Sequence, residues 1–339
     1  MKEFIRNHSF SVSFIVVLFS VVFFYDRNSG DIQRLEGFSM GTTYQFQIAN
    51  FPENIDREQL ATDLNDLLVK LDRGIFSTYS QDSELSRFNQ QDVDVPFPAS
   101  DDLVEVLVMA RQISDLSDGA FDISVGPLVN LWGFGPDKFS DVPTATDIDS
   151  ILVFVSQDLI EIEKNKIRKK DARVQIDLSS IAKGYAVDKI IESLNYDNIF
   201  VEIGGEVRGK SNGKIWRVGI NTPSIDNISN EIEYVASIKN ASIATSGNYR
   251  NFYIDKDNRF YHHEINPLTG YPIMSQLASI SVFAETSCME ADGLATALYM
   301  METNDINNFF EETDFEGLMI LVDPDMSFKQ IVSENFPKN

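Results

Sequence analysis

Residues 277–300 read LASISVFAETSCMEADGLATALYM, a strand followed within a few residues by an apolar helix that opens on two acids, Glu290 and Asp292. At 3.6 residues per turn, Asp292 and Thr296 share one helix face, one turn apart. Two readings stand at this point. In the plainer one, Asp292 faces the helix dipole and Thr296 bonds back to the preceding turn. In the sharper one, the two oxygens hold a hard cation. Cys288, just ahead of the helix, reads as a small packed residue, and a single cysteine leaves no internal disulfide.

The segments around this stretch set the fold class. Ahead of it the chain is dominated by strand patterns: NIFVEIGGEV from Asn198, then WRVGIN, EYVASIK, SIATSG and RFYHHEI. After it come GLMILVD and a closing strand near KQIV. Helical spacing lies mostly earlier, with Leu60, Leu64, Leu67, Leu68 and Leu71 on one stripe and Leu103, Leu107, Ala110 and Ile113 on another. STYSQDSELSRFN reads as a polar loop, ILVFV with LIEIEKN and KIRKKDARVQID as a hairpin region, and SSIAKGYAVDKIIESL as a further helix. YQFQIA alternates as a half-buried strand after a polar linker over 27–35. Strands and helices are partly segregated and hairpin spacing is common, so an α+β fold is expected rather than a doubly wound sheet.

Charge narrows the function. With 28 basic and 52 acidic residues the chain carries a formal −24 and shows no basic stripe, which argues against nucleic acid. An anionic substrate would need a local cation or a buried lysine. At the N-terminus, Lys2 and Arg6 precede an apolar run from Phe10 to Tyr25 with no A-x-A site after it. A signal-anchor over residues 1–30 is expected, with one body, 31–339, outside the cytoplasm.

Four stretches place polar groups where the pattern expects burial. In DLSSIAKGYAVDK, Asp177 ends a strand, Ser179 or Ser180 can cap the next helix, and Lys183 falls on its first turn, suited to an anion. In VEIGGEVRG, two glycines imply a bulge or a close approach of backbone or ligand. Ser246-Gly247 reads as a tight polar turn. In YHHEINPLTGYP, adjacent His262 and His263 point to opposite strand faces, so at most one serves a site. No G-x-G-x-x-G or P-loop is present, no G-x-S-x-G elbow, and three histidines make a zinc triad improbable. The remainder suits Mg²⁺-assisted work on a phosphate or diphosphate.

In order along the chain, SMGTTY, STYSQDSELSRFN, SDGAFDISVGPLVNLWGFG, IDLSSIAKGYAVD, EIGGEV, TSGNY, HEINPLTGYP and EADGLATAL resemble the ApbE family of FAD:protein FMN transferases, from about Phe38 to Val322. The resemblance implies a two-lobed α+β body with FAD in a cleft between the lobes and Mg²⁺ on its diphosphate. It implies Asp292, Thr296 and the Ser180 carbonyl as metal ligands. It implies Met40, Tyr79, the Ala120-Phe121-Asp122 turn, Asp177, Lys183 and Ile265 as FAD contacts. His263 matches the histidine before the family's Pro-x-Thr-Gly turn and is the candidate base. Ser179 and Ser180 depart from the small apolar pair common there, which a carbonyl ligand tolerates; Asn266 stands where Asp is common. There is no lipobox cysteine, so a lipoprotein is not expected.

The implied reaction is attack of a partner's threonine or serine hydroxyl on the FMN-side phosphorus of FAD, with AMP leaving. The implied acceptors are flavin-bearing subunits of the sodium-translocating NADH:quinone reductase or an Rnf-type complex. The expected location is the inner membrane, the body facing the periplasm. An Mg²⁺-dependent FAD pyrophosphatase and a membrane-tethered FAD carrier are the alternatives.

Overall fold

The computed structural model describes residues 32–339 apart from 53–54, 137–141, 195, 224–230, 248–251, 256, 258, 324 and 326. The expected signal-anchor and the Asn248-Tyr249 part of TSGNY lie outside the described residues. Among those described, no helix is long and apolar enough to cross a membrane.

The chain opens with strands β1 (Ile32–Ser39) and β2 (Thr42–Ala49), then helices α1 (Arg57–Val69, continued by a π-helical turn to Phe76) and α2 (Glu84–Asn89). Next come β3 (Phe97–Pro98), α3 (Asp101–Leu116), α4 (Gly126–Leu131), α5 (Ala145–Leu152), β4 (Ile160–Glu163) and β5 (Lys166–Lys169). The second half holds α6 (Ala182–Ser193) and strands β6 (Asn198–Ile203), β7 (Glu206–Ser211), β8 (Trp216–Asn221), β9 (Ile232–Ile238), β10 (Ala241–Gly247), β11 (Phe252–Ile254), β12 (Phe260–His262) and β13 (Leu277–Ala284). It ends with α7 (Cys288–Tyr299), α8 (Thr303–Glu312), β14 (Glu316–Val322) and β15 (Phe328–Val332).

Eight strands form one sheet in the order β1-β2-β6-β7-β10-β13-β14-β15, every neighbouring pair antiparallel. Period-two alternation buries both faces. On β6, Ile199, Val201 and Ile203 join the large helix-side core, whereas Phe200 faces a second cluster with Trp216, Val218 and Phe336 under the β8–β9 ribbon. On β14, Met319 goes to the first core and Leu318 and Ile320 to the second. The α+β expectation holds, with antiparallel sheets and helices packed on them.

Helix α7 explains its own composition. It packs against β10 and β13, α6 and α3. All its residues except Glu290 and Thr296 are buried. A helix enclosed on every side carries apolar residues all round.

Several local expectations are corrected. Residues 32–35 are not linker but the start of β1, a strand of charged and apolar residues on the sheet edge. The polar loop over 77–89 contains α2, started by the Ser83 hydroxyl accepting from the Ser86 amide. ILVFV is no strand: residues 151 and 152 end α5, whose Thr144–Asp147 capping box starts it. Gly204 and Gly205 form the β6–β7 turn, both at positive φ, rather than a bulge within one strand. Ser246 and Gly247 are the last residues of β10, not a turn.

Candidate active site

The first turns of α6 and α7 meet at Gly184. A Cβ there would lie 2.4 Å from the Cys288 carbonyl oxygen and 2.7 Å from the Met289 Cα, so glycine is what lets the helices touch. The Gly184 N–H donates to Asp292 Oδ2 at 2.8 Å. In a regular helix that amide would return to the Ser180 carbonyl. Ala182 and Tyr185 make such bonds, to Leu178 and Ile181. Ser180 is thereby left with a carbonyl whose helical donor has gone to Asp292.

Lys183 completes the junction. Its Nζ donates to the Ser179 carbonyl at 3.2 Å and lies 3.3 Å from Glu206 Oε1 and 3.7 Å from Asp292 Oδ1. Asp292 and Glu206 are each 3% exposed. Burial first, then Glu206 and Glu264, raise the Asp292 carboxyl to about 7 against the downward pull of Lys183 and the Gly184 amide. Glu206 and Glu264 thus both act on Asp292, and Lys183 lies beside Asp292 and Glu206. Glu206 Oε2 is buried with no hydrogen-bond partner among the described residues. Thr296, one turn beyond Asp292, has its hydroxyl 3.1 Å from Ser246 Oγ of β10 and does not bond back to its own helix. The plainer reading of this pair is therefore set aside. Asp292 is the fifth residue of α7, engaged by another helix, and Thr296 is engaged by the sheet.

The two histidines divide as expected. His262 is 1% exposed. Its Nε2–H donates to the Ile273 carbonyl at 2.7 Å, and its Nδ1 accepts from the Glu264 amide at 3.3 Å. That arrangement needs the neutral ring, and burial lowers its pKa to about 4. His263 has its Nε2 3.6 Å from Glu264 Oε1, and its ring meets Phe134 edge-on. A testable consequence concerns His262. Its folded pKa lies below the unfolded value of about 6.5, so its contribution is complete above that pH. Stability falls as pH drops from about 6.5 towards 4, by at most about 3 kcal/mol. Denaturant unfolding at pH 7.5 and pH 5 measures the drop, and His262→Gln should shrink it. An unchanged drop in that variant would assign it to other groups.

The remaining predicted positions sit as follows. Met40 occupies the β1–β2 turn at φ 51°, its amide donating to Asp72 at 3.2 Å. Tyr79 is 68% exposed, with its hydroxyl donating to the Phe134 carbonyl at 3.0 Å. Its pKa is raised, first by partial burial and then by the charge of Asp177. Asp177 accepts from the Ser179 amide and hydroxyl, so Ser179 closes a turn. Neither serine caps α6, whose N-cap is Ile181 without a side-chain bond, and Asp177 lies after an isolated bridge rather than ending a strand. Ala120 and Phe121 are buried, and Asp122 accepts from the Ser124 and Gln157 amides. Ile265 packs with Leu128, Trp132 and Ile148.

The structure brings Lys183 and Asp292 together where α6 meets α7, with Thr296 one turn further along α7, Ser180 just ahead of α6, and Glu264 3.6 Å from His263. Ile265 and Asp122 are set in neighbouring packing units. Glu206, Glu264 and Gly184 are the residues the sequence reading missed. Register offers a signal for the first: Glu206 pairs with Ile203, on the helix side of the sheet.

The ApbE family model matches residues 40–319. The FAD:protein FMN transferase of Vibrio cholerae is 40% identical over 309 residues, covering 89% of this chain and 91% of that protein. The FAD:protein FMN transferase of Haemophilus influenzae is 37% identical and covers 90% of each. The solved structure of the flavin transferase ApbE from Vibrio cholerae superposes with a TM-score of 0.79 at 37% identity, covering 90% of this chain and 99% of that one. With the family's model spanning most of its length and relatives of this identity matched nearly end to end, the chain belongs to the ApbE family.

Proposed function

We propose that this protein is an FAD:protein FMN transferase, moving FMN from FAD to a threonine or serine hydroxyl of a partner flavoprotein and releasing AMP. The activity named for its relatives supports the class. The observation that supports the site is the α6–α7 junction, where buried Asp292 accepts the Gly184 amide and lies 3.7 Å from Lys183 Nζ, with Thr296 one turn further along α7. No cluster of three His, Cys, Asp or Glu side chains suited to a metal occurs among the described residues. A cation here would draw on one carboxylate and neutral oxygens, a donor set that fits Mg²⁺, which commonly keeps several positions for water and substrate phosphate. Asp292, Thr296 and the Ser180 carbonyl would hold it. When bound, it supplies neutralising charge to the diphosphate.

The chain's own groups do the rest. Lys183 presents a positive point on a −24 chain, and it stays in place because Glu206 and the Ser179 carbonyl brace it. Met40, Tyr79, Ala120, Phe121, Asp122, Asp177 and Ile265 form the remaining FAD contacts. The acceptor hydroxyl's oxygen bonds to the FMN-side phosphorus while the bond from that phosphorus to the AMP oxygen breaks. His263 takes the hydroxyl proton, and Glu264 beside its Nε2 steadies the imidazolium. The acceptor class is the flavin-bearing subunits of the sodium-translocating NADH:quinone reductase or an Rnf-type complex. The N-terminal apolar run tethers the body to the inner membrane on the periplasmic side.

The test is in-gel flavin fluorescence after incubating the full-length chain with FAD, Mg²⁺ and an acceptor subunit. An acceptor band that fluoresces after denaturation, with AMP released one for one, is expected. AMP without a fluorescent acceptor would make the protein a pyrophosphatase, and neither product a carrier.

A further inference from the structure

We propose that Asp188, a residue with no contact to the diphosphate site, is the positioning residue that fixes the register of α6 against α7 and thereby the spacing of the metal-ligand oxygens. The inference rests on the reading of Asp292 as a metal ligand. Asp188 is 6% exposed and sits one turn after Gly184 on α6. Its Oδ1 accepts from the Cys288 amide at 2.9 Å and from Arg208 Nη1 at 2.6 Å. Its Oδ2 accepts from the Met289 amide at 3.0 Å and from Ser287 Oγ at 2.9 Å.

A carboxylate offers about four acceptor positions, and four donors occupy these. Two are amides that the start of a helix leaves without intrahelical partners. Ser287 caps the next one, accepting from the Glu290 amide at 3.1 Å. Asp188 therefore acts as an N-cap supplied by another helix, and Arg208 offsets its buried charge.

One turn along, the second tie is the Gly184 amide on Asp292. Gly184 and Asp188 are four apart on α6, as Cys288 and Asp292 are on α7, so the helices are joined by two antiparallel rungs about 6 Å apart. Only the inner rung includes a metal-ligand residue. The outer one sets how far α7 slides along α6, and so where Asp292 and Thr296 lie relative to the Ser180 carbonyl. Side chains that orient ligands from one layer out typically change metal affinity 10–100-fold when removed.

Asp188→Asn keeps the shape but puts an amide NH₂ where two donors converge. The full-length chain is assayed for FMN transfer against MgCl₂ concentration, and its melting temperature is followed over the same MgCl₂ series without FAD. Expected is a rise of about tenfold or more in the half-saturating Mg²⁺, seen in both readouts, with transfer at saturating Mg²⁺ within about threefold of the parent. Phe336→Leu, in the core on the opposite face of the sheet, serves as a stability-matched control and should leave the Mg²⁺ midpoint in place. If Asp188→Asn does not fold, Arg208→Gln tests the same rung more gently, with a shift in the same direction. An unchanged Mg²⁺ midpoint in the folded variant would overturn the role of Asp188. A parent protein with no Mg²⁺ response in either readout would instead overturn the metal reading beneath it.

Discussion

Asp292→Asn is expected to leave the protein folded while lowering FMN transfer by about 10³-fold, the scale of losing a group that stabilises charge at the reacting phosphorus. The asymmetry follows from where the carboxylate sits. Burial already pushes its pKa up to about 7, so the fold gains little from its charge. An asparagine has the same outline, and its carbonyl oxygen can still accept the Gly184 amide that Asp292 Oδ2 accepts at 2.8 Å. The melting temperature should therefore stay within a few degrees of the parent. The chemistry has no such substitute. Thr296 and the Ser180 carbonyl are neutral, and the other acids on Asp292, Glu206 and Glu264, are held by Lys183 and beside His263. In-gel fluorescence of the acceptor at several MgCl₂ concentrations, beside thermal unfolding, measures both halves. Transfer within tenfold of the parent at high Mg²⁺ would show that Asp292 is not the ligand. A large loss of stability would show that its charge serves the fold.

What could be read from the sequence follows from which contacts are local. Asp292 and Thr296 could be paired by helical spacing, and His262 separated from His263 by strand alternation, because both inferences need only a period of 3.6 or 2. The core stripes of α1 and α3 came from the same source. Glu206 could not be found that way. Its importance depends on β7 lying beneath α6, so that a residue just after the β6–β7 turn meets Lys183 across 23 positions of sequence. Asp188 looked like an ordinary helix acid, and its donors come from the start of α7, a hundred residues on, and from Arg208 of β7. The corrections have a common cause too. The Thr144–Asp147 capping box outweighed the β-branched run in ILVFV, and the Ser179 hydroxyl turned to Asp177 instead of capping α6. In both places a short-range side-chain bond decided between conformations that hydrophobic pattern alone leaves open.

Lys183→Met is expected to damage both stability and transfer, and a second substitution separates the two. Lys183 Nζ lies between Glu206 and Asp292, each almost fully buried, while its own side chain is 23% exposed. Removing the cation leaves two neighbouring buried acids without compensation. Breaking such a pair costs about 3–5 kcal/mol, and the exposed lysine end argues for the lower figure. Transfer should fall by about 10²-fold as well, since the positive point proposed to face the diphosphate is gone. If the stability loss comes from uncompensated charge, Lys183→Met combined with Glu206→Gln should recover most of it, because one of the two acids is then neutral. The same combination should recover none of the transfer, because Gln restores no cation. Denaturant unfolding of the four chains gives the coupling between positions 183 and 206, and acceptor fluorescence gives the rates. Additive stability losses would mean that Glu206 is no partner of Lys183 in solution. Recovery of transfer in the double variant would mean that Lys183 acts only by restraining Glu206, and that the diphosphate is held by other groups.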